Sequence, residues 1–573
     1  VTQRLSGAEL VVKALEGEGI SLAFGIPGTH NIELYDALAS SRSVRSVLVT
    51  DEQSASFMAD AAWRASGRMA CVNVVPGAGL THAMSGIAEA FLDTVPMLVL
   101  GCGIRRDTTK AFQLHDVDQA GLIRPVTKAQ LRPERGAELY SIVRRACRVA
   151  RGGVPGPVFV EVPADQYLFR HEADLSEPPP IPPPGAPSET GIARAVELLR
   201  EARPLLYVGL GAAGAGDDLV ALAERLEAPV ATTFQGKGVF PESHPLWLWP
   251  GFGDAAPSFV REIASSRNAT LAIGCRFGEV ATGSYGVTPP RPLVHVDIDP
   301  KVPGRNFPAD LAIEADAAAA VKSLLSALPR RGEERDLRER LREGHAAVEQ
   351  ELSRPSEGRV APHLLLRAIQ AGFGPETIFT TDSGNGTFLS VEGLRLEKPG
   401  RLLSPVDYSC MGYAVPAALG AKLARPACPV VALAGDGAFL MTGLELLTAV
   451  QQRLGVAVFV LRDRELAQIA QFQSTALGRK TCSQLPDYDL PGLARALGVE
   501  TLSLASEGEI PAVVGRAREI AAAGRPVLVD AAIDYSRKTF FTRGVVKTTF
   551  LRLPWGDRLR FVGRALARRI SAE

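Results

Sequence analysis

Short apolar runs rich in β-branched residues alternate with stretches of helical periodicity along nearly the whole chain. This alternation marks α/β domains built on parallel sheets. In the first block it predicts strands at 22–26, 44–50, 70–75, 97–100 and 158–162, with helices such as 31–40 and 53–65 between them. The proline run at 178–184 reads as a stiff extended spacer. A second block opens with a helix at 191–203 and a strand at 205–208 and closes with a strand at 293–298 and a helix at 317–328. A third has strands at 378–381, 430–434, 456–461 and 527–532. The segmentation predicted is 1–175, a linker at 176–188, a central domain at 189–330, a charged connector at 331–360, a third domain at 361–535 and a basic segment at 536–573. The fold class is therefore three doubly wound parallel-sheet α/β domains.

Composition narrows the classes. The 573 residues carry 63 Lys or Arg against 63 Asp or Glu, and 46% are hydrophobic. A disordered chain is excluded, and zero net charge removes the usual argument for nucleic-acid or membrane partners. No run of about eighteen apolar residues is present to span a bilayer. Residues 1–15 include Arg4, Glu9 and Lys13, which breaks the apolar stretch a signal peptide needs. Seven scattered cysteines form no CxxC pair, as expected in a reducing cytosol. A cytoplasmic enzyme is the expectation. The charge is uneven, however: residues 536–573 hold ten Lys or Arg against Asp557 and Glu573, a balance of plus eight, which leaves minus eight for residues 1–535. That tail is read as docking on its own acidic body, or as a lid that draws anions to a cleft.

The strongest local chemistry lies in the third block. The strand at 430–434 runs into Gly435-Asp436-Gly437, a helical pattern follows at 439–452, and the next strand ends at Arg462-Asp463. In a βαβ unit both carboxylates then stand at carboxyl ends of parallel strands, where such sheets bind ligands. The glycines permit close backbone approach, the helix start favours an anion, and carboxylates beside phosphate oxygens suit Mg²⁺. As a lone tripeptide, GDG is a turn and Asp463 a cap. The interval of 27 residues between the two Asp favours the site.

These residues resemble the diphosphate- and metal-binding motif of the thiamine diphosphate-dependent enzymes, and the resemblance covers most of the chain, closest to the acetohydroxyacid (acetolactate) synthase-like group. Phe24-Gly25-Ile26-Pro27-Gly28 is similar to that group's first strand and turn, and 47–53 to its catalytic-glutamate segment, with Thr50-Asp51 where Arg-His is usual. Gly77-Ala78-Gly79 is similar to its Gly-Pro-Gly loop, Ala111-Phe112-Gln113 to its Phe-Gln loop, and 411–418 to its cofactor-bending segment. The resemblance implies thiamine diphosphate and Mg²⁺ as cofactors. Asp436, Asp463 and the backbone carbonyl of Glu465 would hold the metal, and Ser383, Gly384, Asn385, Gly435, Gly437 and Ala438 the diphosphate. Pro27, Gly77 and Met411 would border the cofactor. Glu52 would act on the pyrimidine N1′ and Gln113 on the substrate, with His30, His115, Gln468 and Phe472 as further substrate contacts. It also implies a homodimer or homotetramer with active sites between subunits.

Three readings of the reaction stay open. The first is decarboxylation of a 2-oxo acid with carboligation to a second carbonyl. The second is a non-ligating decarboxylase or C–C lyase, favoured by Gln468 and Phe472 where the group usually has Met and Trp. The third is a nicotinamide-dependent oxidoreductase, suggested by Gly209-Leu210-Gly211-Ala212-Ala213-Gly214 after a strand. No acid follows at the end of the next strand, Thr232-Thr233-Phe234-Gln235, which weakens it. FAD in the central domain stays open too, since Gly278-Glu279-Val280 replaces the group's Asp-Asp-Arg. Departures at Asp51 and Arg462 leave a non-catalytic binding protein as a distant reading.

Overall fold

The computed structural model describes residues 2–181 and 185–570; Pro182, Pro183 and Pro184 of the expected spacer and residues 571–573 of the expected tail lie outside the described residues. Three six-stranded parallel sheets organise the described chain, as expected. The first contains Leu22–Gly25, Arg45–Leu48, Cys71–Val74, Leu98–Gly103, Ala129–Leu131 and Val158–Pro163. In chain order its strands lie second, first, third, fourth, sixth, fifth. The third sheet repeats this order with Ile378–Thr381, Leu402–Leu403, Val430–Gly435, Ala457–Arg462, Glu500–Leu504 and Val527–Ala532. The middle sheet is ordered third, second, first, fourth, fifth, sixth, the dinucleotide-fold arrangement, with Pro204–Val208 as its first strand and Ala269–Ile273 as its fourth. Central strands are buried on both faces, which is why they read as continuous apolar runs rather than alternating ones.

In each outer sheet the order in which strands are added reverses between the first and third strands, opening a crevice at their carboxyl ends. The crevices lie beyond Leu22–Gly25 and Cys71–Val74 in one domain and beyond Ile378–Thr381 and Val430–Gly435 in the other. The two outer domains share one apolar core. Helix Glu52–Ser66 packs on helix Ala414–Ala424 so closely that a Cβ at Gly420 would lie 2.2 Å from the Met58 carbonyl oxygen. The central domain has its own core around Trp247 and Trp249, beside a fully buried ion pair, Lys237 Nζ to Glu242 at 2.7 Å.

One local difference from the sequence pattern has a physical cause. The helix expected over 439–452 breaks into Asp436–Thr442, a 3₁₀ turn Gly443–Glu445 and Leu446–Gln451. The break falls where the Phe439 ring packs 2.6 Å from any Cβ at Gly443. The basic segment forms helices Phe540–Arg552 and Trp555–Ile570. Phe541 stacks on Phe388 at 4.1 Å between centroids and Lys547 meets Asp254 at 2.8 Å, so the first of these helices bridges the third and central domains. The second packs against helix Ala467–Leu477.

Candidate active site

The third-domain crevice gathers most of the singled-out residues. Asp436 opens its helix, accepting from the Gly437 amide at 2.9 Å and the Arg464 amide at 2.7 Å. Asp463 follows strand Ala457–Arg462 and accepts from the Glu465 amide at 3.2 Å. Burial and the Asp436 charge beside it push Asp463 up to about 7, and burial raises Asp436 as well. A buried and a half-buried carboxylate held together with lone pairs to spare form a donor set suited to a hard divalent cation, whose charge would reverse the repulsion. The Glu465 side chain turns away to Lys480 at 2.6 Å, leaving its backbone for any such role. Arg462, a puzzle from sequence alone, points elsewhere: its guanidinium pairs with Asp530 at 3.1 Å and Asp487 at 3.2 Å and lies over the Tyr488 ring.

Across the crevice, Gly384 caps helix Asn385–Gly393 with φ of +118°, a conformation only glycine adopts freely. Asn385 is 7% exposed and its Oδ1 has no partner among the described residues. A buried orphan acceptor beside free helix N–H groups fits a group that brings its own donors or bridging water. Ser383 bonds Ser409 at 2.7 Å. Gln468 Oε1 would lie 3.6 Å from a Cβ at Gly384, so it overlooks this wall. Phe472 lies one turn further on the same helix, half-buried. Ala438 is buried behind Gly437.

Met411, half-buried, precedes Gly412 at φ +87°. The segment is held from three sides. Thr442 Oγ donates to the Gly412 carbonyl at 2.7 Å, the Tyr413 amide donates to Asp382 at 2.8 Å, and the Cys410 amide donates to Glu89 at 3.1 Å. The Tyr413 hydroxyl also donates to Asp60, which pairs with Arg64 at 2.7 Å. Asp382 was not singled out from sequence, where one acid after a strand reads as a cap. It is buried, and desolvation pushes it up to about 7 despite the backbone amides of Tyr413, Gly412 and Ala414.

The first-domain crevice holds the other set. Asp51 caps its helix by accepting from Gln53 N at 2.8 Å, and Glu52, 7% exposed, takes the first helical position. Its Oε1 would lie 3.0 Å from a Cβ at Gly79, near the start of helix Ala78–Leu92. Gly77, at φ +62°, donates its amide to Gln119 at 3.1 Å and lies against His115. His115 meets His30 edge to face at 5.4 Å, and burial together with the neighbouring imidazole lowers His30. Pro27 is exposed at the turn above, and Gln113 is half-buried in the loop that carries His115. Among the described residues no hydrogen bond or ion pair joins Glu52, His30 or His115 to Asp436, Asp463 or Gln468.

A third opening, a cavity of about 880 Å³, lies at the carboxyl edge of the middle sheet between all three domains, lined by Gly211, Phe234, Arg276, Asp297 and Asp407. Its place at a dinucleotide-fold switch point and its volume fit a nucleotide. Gly209 and Gly211 of the GxGxxG stretch serve packing as well. A Cβ at Gly209 would lie 2.1 Å from the Gly274 carbonyl oxygen, and the chain passes through a 3₁₀ turn, Leu210–Ala215, before its helix.

Comparison with known proteins agrees with this layout. Residues 5–122 match the thiamine pyrophosphate enzyme N-terminal TPP-binding domain, 192–324 the central domain and 382–531 the C-terminal TPP-binding domain. The chain is 31% identical to a probable acetolactate synthase large subunit of Methanocaldococcus jannaschii over 92% of both chains. It is 33% identical to the acetolactate synthase large subunit of Corynebacterium glutamicum over 92% of this chain and 87% of that one. To the large subunit of acetolactate synthase isozyme 3 of Escherichia coli it is 30% identical over 94% and 96%. The repeated outer topology and the near full-length similarity converge: this chain belongs to the thiamine pyrophosphate-dependent enzymes, in their acetolactate synthase-like group.

Proposed function

We propose that the chain decarboxylates a 2-oxo acid, using thiamine diphosphate and Mg²⁺, and joins the remaining fragment to a second carbonyl compound. The observation that carries this reading is Asp463 held beside Asp436 at the mouth of the third sheet, in a family whose relatives are named acetolactate synthases. Asp436, Asp463 and the Glu465 carbonyl would hold Mg²⁺. Ser383, Gly384, Asn385, Gly435, Gly437 and Ala438 would hold the diphosphate, with Pro27, Gly77 and Met411 bordering the rest of the cofactor. When bound, the cofactor supplies an electron sink for the pair released as CO₂ leaves. Glu52 would exchange a proton with the pyrimidine N1′ from its buried position, while His30 and His115 present paired imidazoles to the acid and Gln113 lies nearby.

Glu52 and Asp436 stand in different crevices, and apolar side chains remain exposed beside the latter: Met441 at 57% and Leu444 at 54%, with Leu440 and Leu447. Such a patch suits a second copy of the chain. A homodimer or homotetramer would complete each site, and sedimentation of a fully active monomer would sink this arrangement. Gln468, a polar side chain over Gly384, favours the second reading, a non-ligating decarboxylase or lyase. A panel of 2-oxo acids scored for CO₂ release and product separates the two: a ligated product supports the first, a free aldehyde the second, and no CO₂ refutes both. A flavin in the large cavity would show as visible absorbance bands in the purified protein; their absence argues for the non-ligating branch.

A further inference from the structure

We propose that His82 is a positioning residue for Glu52, its Nδ1 orienting the carboxylate from the facing helix. This rests on the reading of Glu52 given above. His82 lies on the second turn of helix Ala78–Leu92, which packs against helix Glu52–Ser66. Its Nδ1 is 3.6 Å from Glu52 Oε2 and 3.8 Å from Asp51 Oδ2. The three side chains come within 4.8 Å of one another.

The two Glu52 oxygens are treated differently. Oε1 is pressed toward Gly79, where only the absence of a side chain leaves room. Oε2 receives no hydrogen bond among the described residues, which leaves His82 Nδ1, at 3.6 Å, as the polar group placed to fix the rotation of the carboxylate. Asp51 spends Oδ1 on its helix cap and turns Oδ2 to the same imidazole nitrogen. The remaining groups around the pair do not substitute. Tyr35, from helix Ile32–Ser40, feels the Glu52 charge but its buried hydroxyl lies toward Asn73, Glu445 is engaged by Thr50 and Thr448, and His115 lies against Gly77. Such contacts tighten when a bound reactant gives the carboxylate its second partner. A carboxylate that must meet one ring nitrogen gains from a donor fixing its rotation, since small misplacement of a reacting group costs large factors in rate.

Side-chain length makes the idea testable. Asparagine places an amide N–H near the position of Nδ1, whereas glutamine places one near Nε2. His82→Ala and His82→Gln should lose about ten- to hundredfold in kcat, with KM and thiamine diphosphate affinity within about twofold, and His82→Asn should recover most of the loss. Independently of turnover, the ¹⁵N resonance of His82 Nδ1 in the cofactor-free protein should move on Glu52→Gln. A His82→Asn variant no better than His82→Gln, or an unmoved resonance, overturns the proposal. A fully active Glu52→Gln overturns the reading of Glu52 and this inference with it. An inactive Glu52→Gln beside a fully active His82→Ala overturns the inference alone.

Discussion

Asp382 offers a quantitative test of how the Met411 segment is held. Its carboxyl is buried and raised to about 7, while accepting the Tyr413 amide at 2.8 Å. Against an unfolded value of about 3.9, and with each tenfold change in proton affinity worth about 1.36 kcal/mol, keeping the group ionised in the fold costs about 4 kcal/mol in full. The sign follows from the raised value. The group's stabilisation is complete below about pH 4 and is lost as pH rises through about 7; roughly 3 kcal/mol of that loss falls between pH 5 and pH 9. Asp382→Asn keeps an oxygen acceptor for the amide and removes the charge. The variant should therefore gain on the wild type by about 3 kcal/mol over that interval. For a unit of 150–250 residues that is a relative change in melting temperature of about 6–12 °C. Scanning calorimetry of both proteins at pH 5 and pH 9, without cofactor, reads the difference directly. Parallel pH trends in the two proteins would refute the burial argument.

Two further outcomes follow from packing. Gly420→Ala should cost about 1–3 kcal/mol, because the new methyl meets Met58 backbone rather than a movable side chain; chemical denaturation showing wild-type stability would contradict the close helix contact. Lys237→Met should cost about 3–5 kcal/mol by stranding the buried Glu242 charge. Adding Glu242→Leu should restore part of that loss in the same assay, although it also frees the Leu396 amide that Glu242 accepts at 3.0 Å, and a double variant no more stable than Lys237→Met would argue against the stranded charge as the cause.

The alternation of apolar runs and helical periods was enough to read three parallel-sheet domains, because buried parallel strands leave an unbroken apolar signature such as 430–434. Strand order was not readable: nothing local in 129–131 or 500–504 says that these short strands lie at sheet edges beyond later ones. Motif reading reached Asp436 and Asp463 because both follow strand ends at βαβ spacing. It could not tell that Arg462 turns to Asp530 and Asp487, since those partners arrive from 68 and 25 residues away. Asp382 and His82 escaped for the same reason. Their significance comes from what they face, Tyr413 and Glu52, about 30 residues distant in each case. The GxGxxG stretch supports two readings at once, because Gly209 and Gly211, pressed against Gly274, spell the same letters as a phosphate loop, and Gly211 also lines the large cavity.

The account depends most on Asp436 and Asp463 acting together on a metal-bound diphosphate. Isothermal titration of the purified chain with thiamine diphosphate tests this directly, with Mg²⁺, with chelator, and in Asp463→Ala. The account predicts saturable binding with Mg²⁺ that chelator abolishes and Asp463→Ala loses. Binding that persists unchanged with chelator and in the variant, or no binding by the wild type, would contradict it.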